Sequence, residues 1–531
     1  YNFNMAASTN ISTALKTLLC LLLFIPTNQL CAYAQDDEEI PKVGIIGGGI
    51  GGTTAAYFLR QLFGDKLKVD ILEADKIGGR LALINIDGQD YEAGGSIIHP
   101  KNRYMVNFTE QFGLQRKDPS EDTLGLYNSK DGLFFKTSSW KAVTLAKLFW
   151  RYGWDVKRIQ DWVAEMMGSF ERIYDYQNQG MAFTNVEDLL RSMDESFINY
   201  TRIKCSTMFK DAGFSDKFID ELVMGALREN YGQTTDAHGF VGAVSMAGVE
   251  PGLWAVKGGN KKVPEQLLKA SSAHFNQAVV THVFQVKSEG GTVSYEVQYL
   301  KTDAKQGEEK EGSKEYDILI IATPLKSASK YQIQFEDFPS GLRLPDVPYH
   351  PLEVLFVHGR PNNTYFGVEK LEELPSNIMT TDTEVFFNKI GRQSPVLAVE
   401  NKEHLKGKPD QEEGYGVWKS FLNKVPTEKE VGSIFDSRKD LRLVSWKAYP
   451  EYTPNMELPS FVLHDRLYYI NAVEAAASAM EMSAIGGRNV AILAYNQWFG
   501  HFDKIDEHTF PSAKGDPAFP SEEEGRRPDE L

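Results

Sequence analysis

Residues 43–62 read VGIIGGGIGGTTAAYFLRQL, and this stretch decides the fold. It holds six glycines within residues 44–52, next to an apolar burst that predicts a buried strand. From Thr53 to Leu62 the apolar residues are spaced as in a helix. Because glycine weakens both helix and strand, this concentration indicates that the turn between them requires bare backbone.

Gly47, Gly49 and Gly52 have the spacing of a dinucleotide-binding turn. In that pattern the first glycine permits a tight turn, the second lets a pyrophosphate approach, and the third lets helix pack on strand. Glu73 ends a second predicted strand, residues 68–73, where a carboxylate accepts hydrogen bonds from a ribose. No Gly-Lys-Ser/Thr of a P-loop follows, so the order of elements predicts a Rossmann-type dinucleotide site.

The glycine turn leaves FAD and NAD tied, and three later segments favour FAD. Gly78-Gly79-Arg80 places bare backbone beside a guanidinium, which suits a second approach to the pyrophosphate; a surface ion pair is the alternative for Arg80. Gly94-Gly95-Ser96 can admit a flat ring or form an ordinary turn. The strand 316–322 ends in Ala322-Thr323-Pro324, a small-residue turn typical of a discontinuous FAD domain.

The chain as a whole predicts an α/β fold with a Rossmann-type FAD-binding domain and a mixed α+β substrate domain. We assign residues 41–100, 251–330 and 465–500 to the discontinuous FAD-binding domain, and 101–250 and 331–464 to the substrate-binding domain. Further predicted elements are helices at 141–152, 157–177 and 215–230 in a mostly helical stretch from 101 to 250, a strand pair within 278–300, strands at 353–358 and 467–470, and a helix from Glu474 to about Gln497.

The two ends of the chain predict targeting rather than fold. Residues 1–34 combine Lys16, an apolar run at 18–25 and Ala32-Tyr33-Ala34, which predicts a cleaved secretory signal. Residues 505–531 predict a polar tail, and its last residues, Pro528-Asp-Glu-Leu531, resemble a retrieval signal of the endoplasmic reticulum.

Entry into the secretory pathway agrees with the sequons at Asn107, Asn199 and Asn362, where we predict glycosylation. The final compartment stays open between lysosome or vacuole, endoplasmic reticulum and the extracellular space. Cys20 and Cys31 lie in the predicted signal, so Cys205 alone remains and an internal disulfide is excluded from the mature chain.

The composition and the histidine spacing argue against two classes of ligand, nucleic acids and metal ions. The net charge is −16 and no Lys/Arg-rich stripe appears, which argues against nucleic acid. His282, His358 and His464 lack metal-ligand spacing, so we predict no metal site.

Several stretches together resemble the prenylcysteine oxidase family, also called prenylcysteine lyases, within the flavin amine oxidase superfamily. The most specific are GGSIIHPKN at residues 94–102 and YYINAVEAAASAMEMSAIGGRNVAILAYNQW at residues 468–498. The resemblance runs from about Val43 to Trp498. It implies that the chain binds FAD and cleaves a prenylated cysteine thioether by oxidation. Because Cys205 lies outside the flavin motifs, we expect the FAD to be bound non-covalently.

The resemblance also implies roles for individual residues. Expected cofactor contacts are Gly47, Gly49, Gly52 and Glu73 for the ADP half, Val283 for adenine, Gly79 and Arg80 for the phosphates or ribityl chain, Gly95 and Ser96 beside the flavin, Thr323 at the small-residue turn, and Glu481 and Met482 near the ribityl chain or flavin O2. His99 is the residue we predict for proton handling, with a structural histidine as the alternative. Arg228 is predicted to pair with the substrate carboxylate.

The implied reaction takes a hydride from the carbon attached to sulfur, adds water, and yields a prenyl aldehyde, free cysteine and hydrogen peroxide from O2. Farnesylcysteine is the expected substrate and geranylgeranylcysteine a second candidate. Aromatic residues from Trp140 to Trp154 either pack in the core or contact a membrane surface that supplies the lipidic substrate. A polyamine or monoamine oxidase and a secreted flavin carrier without turnover stay open as alternatives, and the oligomeric state is not predicted.

Overall fold

The computed structural model describes residues 40–117, 123–249, 251–304, 309–338, 342–397 and 415–507. The predicted signal, with Cys20 and Cys31, lies outside the described residues, as do residues 508–531 of the predicted tail. The chain divides into two units, Tyr1–Pro41 and Lys42–Leu531, and all elements below belong to the second.

The strands and helices of this unit are numbered in chain order. The strands are β1 (Lys42–Ile46), β2 (Lys68–Glu73), β3 (Leu83–Ile86), β4 (Gln89–Glu92), β5 (Arg116–Lys117), β6 (Leu124–Asn128), β7 (Gly132–Lys136), β8 (Ala255–Val256), β9 (His274–Lys287), β10 (Val293–Lys301), β11 (Glu311–Tyr316), β12 (Ile318–Ile321), β13 (Gln334–Glu336), β14 (Tyr349–Pro361), β15 (Asn377–Thr380), β16 (Phe387–Arg392), β17 (Gly416–Leu422), β18 (Phe435–Pro450), β19 (Val462–His464) and β20 (Leu467–Tyr469). The α-helices are α1 (Ile50–Phe63), α2 (Arg103–Gln111), α3 (Lys141–Tyr152), α4 (Asp155–Phe170), α5 (Arg172–Asn178), α6 (Val186–Met193), α7 (Glu195–Arg202), α8 (Cys205–Asp211), α9 (Asp216–Phe218), α10 (Met224–Tyr231), α11 (Gly239–Met246), α12 (Lys262–Ser271), α13 (Glu428–Ile434) and α14 (Met480–Phe499). A π-helix spans Ile219–Val223, and 3₁₀ helices span Ala247–Val249, Lys326–Ala328, Leu371–Glu373, Ile470–Ala475 and Phe502–Lys504.

The larger sheet has the order β11-β10-β9-β2-β1-β12-β20-β19, with β13 also paired to β9. From β9 to β20 the neighbouring strands are parallel. Its central strands are apolar runs buried on both faces, such as Val43, Ile45 and Ile46 of β1. Strand β1, the glycine turn, α1 and β2 therefore form the predicted Rossmann unit.

The second sheet has the order β18-β14-β17-β16-β15-β6-β7 and is antiparallel except where β15 meets β6. One face carries a core cluster that includes Leu355, Val357 and Trp418, and residues of α13 pack into that cluster. Strand alternation places Phe356 and Lys419 on the other face. Strands β13 and β19, which lie in the segment predicted for the substrate-binding domain, join the larger sheet.

Four predictions differ from the structure. The stretch 101–250 is mostly helical but also contains β5 and β6, which pair with the later strands β8 and β15, and β7, which pairs with β6. The predicted helix 157–177 is divided at Glu171 into α4 and α5, and the predicted strand 316–322 is divided at Asp317. The last helix begins at Met480, because a 3₁₀ helix and an extended Ala479 precede it, so the predicted start at Glu474 is wrong.

Candidate cofactor and active site

The glycine turn between β1 and α1 has the geometry that its spacing predicts. Gly47 has a φ of 113°, and a Cβ built on it would lie 2.5 Å from the carbonyl oxygen of Ala322 and 3.4 Å from the nitrogen of Thr323. A Cβ on Gly52 would lie 2.1 Å from the carbonyl oxygen of Gly47. A Cβ on Gly49 would meet no heavy atom within 4 Å. The chain's own packing therefore requires Gly47 and Gly52, whereas Gly49 faces open space, as a pyrophosphate approach demands.

The second glycine segment and the ribose acid both contact this turn. The N–H of Gly78 donates to the carbonyl oxygen of Gly48 over 2.9 Å, and a Cβ built on Gly79 would lie 3.4 Å from Cα of Gly49. Glu73 accepts the N–H of Gly48 at Oε2 over 2.7 Å. Burial raises the pKa of Glu73, while main-chain donors oppose that effect. The turn, the Gly78–Gly79 loop and the carboxylate are thus one connected surface.

The third glycine pair meets the beginning of the last helix. A Cβ built on Gly95 would lie 3.6 Å from Cγ of Met480, the first residue of α14. No side chain caps this helix at Ala479. A Cβ on Gly51, in the first turn of α1, would lie 3.4 Å from the carbonyl oxygen of Ser483, in the first turn of α14. Two helix N-termini therefore converge where the three glycine segments meet, and both favour an anionic ligand.

These features fit FAD. Its pyrophosphate needs bare backbone and helix N-terminal N–H groups, and its ribose needs a carboxylate acceptor; Gly49, the two helix N-termini and Glu73 supply them side by side. The contact between Gly95 and Met480 adds a surface with little side-chain bulk where a flat ring can lie. Direct contacts of these residues with the cofactor stay a prediction.

Arg80 is engaged by Glu474, which the sequence did not single out. Its Nη1 lies 3.1 Å from Oε2 of Glu474, its Nη2 bonds to Oε1, and Nη1 also donates to the carbonyl oxygen of Ala448. Glu474 also accepts from Asn471 over 2.8 Å and from Tyr349. Burial works to lower the pKa of Arg80, but Glu474 raises it overall. Arg80 therefore positions the segment before α14, and its expected contact with the phosphates or the ribityl chain stays a prediction.

Glu481 and Met482 lie in the first turn of α14, as expected, but the Glu481 carboxylate points elsewhere. It accepts the N–H groups of Tyr104 and Met105 over 2.8 and 3.0 Å, and the hydroxyl of Tyr174 over 2.7 Å. Burial raises its pKa to about 7, against these donors. The side chain of Glu481 thus holds α2 against α14, and the part of this turn left for a cofactor is the backbone.

The adenine contact predicted for Val283 is wrong. A strand lies on each side of this residue, β10 on one and β13 on the other, so its backbone groups face other strands. Along the same edge β2 pairs only as far as Gln277, opposite Glu73. Among the described strands, none pairs with residues 278–281 on that side, so the open backbone beyond the ribose acid lies there.

His99 and Ser96 follow the third glycine pair. His99 is buried; its N–H donates to Oδ1 of Asn102 over 2.8 Å, and its Nδ1 accepts the N–H of Lys101 over 3.1 Å. This places the ring proton of the neutral form on Nε2. Ser96 is half-buried beside Gly95. The proton-handling role of His99 stays a prediction, and its contacts also suit the structural alternative.

Arg228, on helix α10, is buried against strands of the second sheet. Its Nε donates to Thr380 over 2.8 Å, and its Nη2 donates to the carbonyl oxygens of Phe387 and Val385 over 3.1 and 3.3 Å. Burial lowers its pKa to about 10, although Asp382 opposes that effect. With these donors committed to the sheet, Arg228 ties α10 to β15 and β16, and the predicted pairing with a substrate carboxylate is corrected to a structural role.

A buried lysine near the third glycine pair escaped the sequence analysis. Lys419 of β17 donates over 3.0 Å to the carbonyl oxygen of Glu92, whose Oε1 accepts the N–H of Asn260 over 2.7 Å. Asn260 in turn donates to the carbonyl oxygen of Gly95 over 3.1 Å. Burial, helped by Lys389, lowers the pKa of Lys419 to about 7, and burial raises that of Glu92 to about 7. The only signal was one lysine inside the apolar run of residues 416–422.

Three tyrosines, from the end of α10 and from the end of β18 and the residues after it, lie close to the segment that precedes α14. The ring of Tyr231 lies 5.2 Å from that of Tyr449 and 5.4 Å from that of Tyr452. The hydroxyl of Tyr231 donates to the carbonyl oxygen of Ser478 over 3.3 Å, and the N–H of Ser478 donates to the hydroxyl of Tyr452 over 2.8 Å. We call Tyr231, Tyr449 and Tyr452 the tyrosine cluster. Tyr231 lies more than 200 residues from Tyr449 and Tyr452, so the sequence carries no local signal of the cluster.

The remaining predicted positions are placed as follows. Cys205 is buried, and burial raises the pKa of its thiol. Asn107 and Asn199 are exposed on helices, whereas Asn362 is half-buried and its amide donates to the carbonyl oxygen of Ser433 over 3.0 Å.

Within the described ranges of the chain, no group of three or more His, Cys, Asp or Glu side chains is arranged to hold a metal ion. Within the same ranges, no helix has the length and apolar character needed to cross a bilayer.

Solved structures identify the class of fold. A cyclohexylamine oxidase from Brevibacterium oxydans superposes with a TM-score of 0.53 at 14% identity, covering 86% of this chain and 99% of that one. A putrescine oxidase bound to putrescine gives a TM-score of 0.51 at 13% identity, covering 85% and 98%. A family model described as an NAD(P)-binding Rossmann-like domain matches residues 45–112. The chain has the α/β fold of the flavin amine oxidases, which confirms the predicted fold class.

Sequence comparison then gives the family. A model described as prenylcysteine lyase matches residues 135–507, and the chain belongs to this family, as its sequence resemblance indicated. Prenylcysteine oxidase 1 of Bos taurus is 42% identical over 491 residues, 90% of this chain and 94% of that protein. The Homo sapiens protein of that name is 40% identical, covering 88% and 91%. Prenylcysteine oxidase 1-like of Bos taurus is 36% identical, covering 90% and 95%.

Proposed function

We propose that this chain is an FAD-dependent oxidase that cleaves S-prenyl-L-cysteine with O2 and water to a prenyl aldehyde, free cysteine and hydrogen peroxide. The observation that carries the proposal is the convergence of three glycine segments and two helix N-termini in a chain of the prenylcysteine lyase family. The full-length similarity to proteins named prenylcysteine oxidase supports the substrate class.

The reaction is balanced as follows. The C–H bond beside sulfur loses a hydride, water adds to the resulting carbon, and the C–S bond breaks to give aldehyde and thiol. When bound, FAD supplies the two-electron acceptor, and O2 takes the electrons on to hydrogen peroxide. The sulfur and the adjacent alkene stabilise the positive charge, so the protein's task is chiefly to position the thioether and to admit one water.

The chain's own groups serve binding and positioning. The Gly49 backbone and the first turns of α1 and α14 hold the pyrophosphate and favour negative charge, and Glu73 accepts from the ribose. Arg80 and Glu474 fix the segment that leads into α14. We place the substrate next to the tyrosine cluster, where rings supply apolar contact.

Further properties follow as proposals. FAD is held non-covalently, because the one described cysteine, Cys205, is a buried thiol packed between helices α8 and α11. The chain enters the secretory pathway, carries glycans at one or more of Asn107, Asn199 and Asn362, and acts in the lysosome or vacuole, the endoplasmic reticulum or outside the cell, in degradation of prenylated proteins.

The test is to follow hydrogen peroxide while the purified protein is incubated with farnesylcysteine, geranylgeranylcysteine or spermine. Peroxide with a prenylcysteine, together with an aldehyde and one thiol per turnover, is the expected result. Peroxide with spermine alone would make the chain an amine oxidase. A flavin that absorbs normally but turns over none of the three would indicate a carrier. The ratio of peptide-bound to acid-released flavin measures the linkage in the same sample.

A further inference from the structure

Helix α3 presents an unusual surface: its large apolar side chains point to solvent. Trp150 is 92% exposed, and Trp140 and Trp154, which flank the helix, are 74% and 71% exposed. Leu145 and Phe149 are also exposed. We call these five residues the tryptophan surface. A helix on a globular protein ordinarily turns such residues inward, so this face indicates contact with something outside the chain.

The opposite side of the helix is firmly anchored, so the exposure is not a consequence of loose packing. Tyr152 is buried and donates to Glu221 over 2.8 Å, and Arg151 bonds to the same carboxylate through Nε and Nη2 over 2.5 and 2.8 Å. Thr144, two turns earlier, bonds to Ser138 over 2.8 and 3.0 Å. These contacts hold the tryptophan surface outward.

The segment that carries the tryptophan surface is richer in cations than the chain as a whole. Between residues 136 and 158 there are six Lys or Arg and one acidic residue, in a chain with a net charge of −16. Several of these cations pair with carboxylates, but Lys141 and Lys147 form no ion pair with a described residue. Both are exposed beside the tryptophans. The surface therefore combines interfacial aromatic residues with local positive charge.

We propose that the tryptophan surface docks the protein on an anionic lipid bilayer. Tryptophan prefers the boundary between headgroups and acyl chains, and Lys and Arg at that depth are attracted by anionic headgroups. A groove of about 660 Å³ beside the helix, lined by Phe135, Val143 and Trp150, is open to the same side and offers apolar contact to an acyl chain. A second copy of the chain is a poorer partner, because a two-fold contact would bring Lys141 and Lys147 against their own equivalents.

The docking surface is also linked to the cofactor region. Glu221, which anchors α3, lies in the π-helix Ile219–Val223, and this continues directly into α10. Helix α10 ends at Tyr231 of the tyrosine cluster, which bonds to Ser478 just before α14. Docking would therefore place α3, and the π-helix and α10 that lead from it to the tyrosine cluster, near the lipid boundary. A prenylated substrate partitions to that boundary. The docking itself does not rest on the proposed function.

Vesicle flotation tests the proposal. The full chain, expressed with its own N-terminal segment and processed by the host, is floated with vesicles of phosphatidylcholine with or without phosphatidylserine. We expect binding to the anionic vesicles, weakened by salt, and a blue shift of tryptophan fluorescence. The W140S/W150S/W154S variant should bind at least about tenfold more weakly, and K141E/K147E should lose the dependence on phosphatidylserine.

Matched controls separate surface from fold. F502A removes an exposed apolar side chain outside the tryptophan surface. K66E/K287E replaces two exposed lysines near strands β2 and β9 of the larger sheet. Both variants should bind anionic vesicles as the wild type does. Melting temperature and peroxide formation from soluble substrate should be unchanged in the tryptophan variant, which keeps this test apart from the proposed function. Equal flotation of wild type and tryptophan variant, or dimerisation abolished by the same variant without vesicle binding, would overturn the proposal.

Discussion

Glu474 joins Arg80 to the segment before α14, and its side chain is 2% exposed while that of Arg80 is 32% exposed. Glu474→Gln leaves the guanidinium without its carboxylate partner. We expect the free energy of unfolding to fall by about 2–3 kcal/mol and FAD content to fall with it, since a half-buried cation loses its partner. Thermal melting and the ratio of flavin to protein absorbance measure both. Glu451→Gln, an exposed acid nearby, is the control; equal losses in both variants would remove the special role of Glu474.

Lys419 makes the stability depend on pH. Burial lowers its folded-state pKa from 10.5 to about 7, so between these values the unfolded chain binds a proton that the folded chain does not. The contribution of Lys419 to stability therefore rises with pH across this window and is lost as pH falls toward 7. Lys419→Met removes the effect.

We accordingly expect the unfolding free energy of Lys419→Met, relative to wild type, to improve by about 2 kcal/mol between about pH 9 and about pH 7. Denaturant titrations at the two pH values measure the difference. Lys419→Arg keeps a charge there and should be destabilised at both. A difference between Met variant and wild type that does not change with pH would show that Lys419 keeps its ordinary pKa in the folded protein.

At the scale of elements, the packing of α14 on α1 decides the cofactor region. A Cβ built on Gly487 would lie 2.5 Å from the carbonyl oxygen of Gly51, so the helices approach at backbone distance. Gly487→Ala should lower the unfolding free energy by about 1–3 kcal/mol through overpacking. Gly168→Ala is the matched control, because its helix has open space there and alanine favours helix by about 1 kcal/mol. We expect the melting temperature to fall in Gly487→Ala and to rise in Gly168→Ala. An unchanged melting temperature in Gly487→Ala would mean that α1 and α14 can move apart at no cost in free energy.

The elements also show which predictions the sequence could support. Strand β1, the glycine turn, α1 and β2 were predictable because a buried parallel strand is a short continuous apolar run and a helix carries a local period. Strand β6 was missed because it pairs with β15, near residue 380 and far along the chain, and β7 was missed with it because β7 forms the sheet edge against β6. The partners of Arg80 and Arg228 were missed for the same reason: Glu474 and Thr380 are distant in sequence. Val283 was misplaced because register along a long strand depends on its neighbours, which β13 supplies.

At the scale of the whole molecule, each sheet carries one of the two proposed functions: the larger sheet carries cofactor binding and the second sheet carries membrane docking. The strands of the larger sheet lead to the glycine turn, where we propose that FAD binds. The second sheet carries the helix with the tryptophan surface, and α10 connects them. The similarity between this chain and its relatives extends over both sheets, which agrees with a site that needs both. Cofactor binding should therefore stabilise the whole unit, because it ties together segments that are far apart in sequence.

Gly49 allows this linkage to be tested without damage to the fold. Its φ of −72° and ψ of −175° suit any residue, and a Cβ there meets nothing within 4 Å. Gly49 is also the N-cap of α1, where Asp and Asn are favoured, so either substitution should leave the cofactor-free protein as stable or slightly more stable. Asp at this position adds a negative charge and a side chain where the pyrophosphate must approach.

We therefore expect Gly49→Asp to retain no FAD and to show a melting temperature that added FAD does not raise, whereas FAD raises that of the wild type by several degrees, roughly 2–4 °C per kcal/mol of binding. Gly49→Asn, which adds nearly the same bulk without charge, should show an intermediate effect and thus separate charge from volume. Added NAD should stabilise none of the three. If FAD still raised the melting temperature of Gly49→Asp as in the wild type, the pyrophosphate would lie elsewhere, and the assignment of the glycine turn to the cofactor would fall with it.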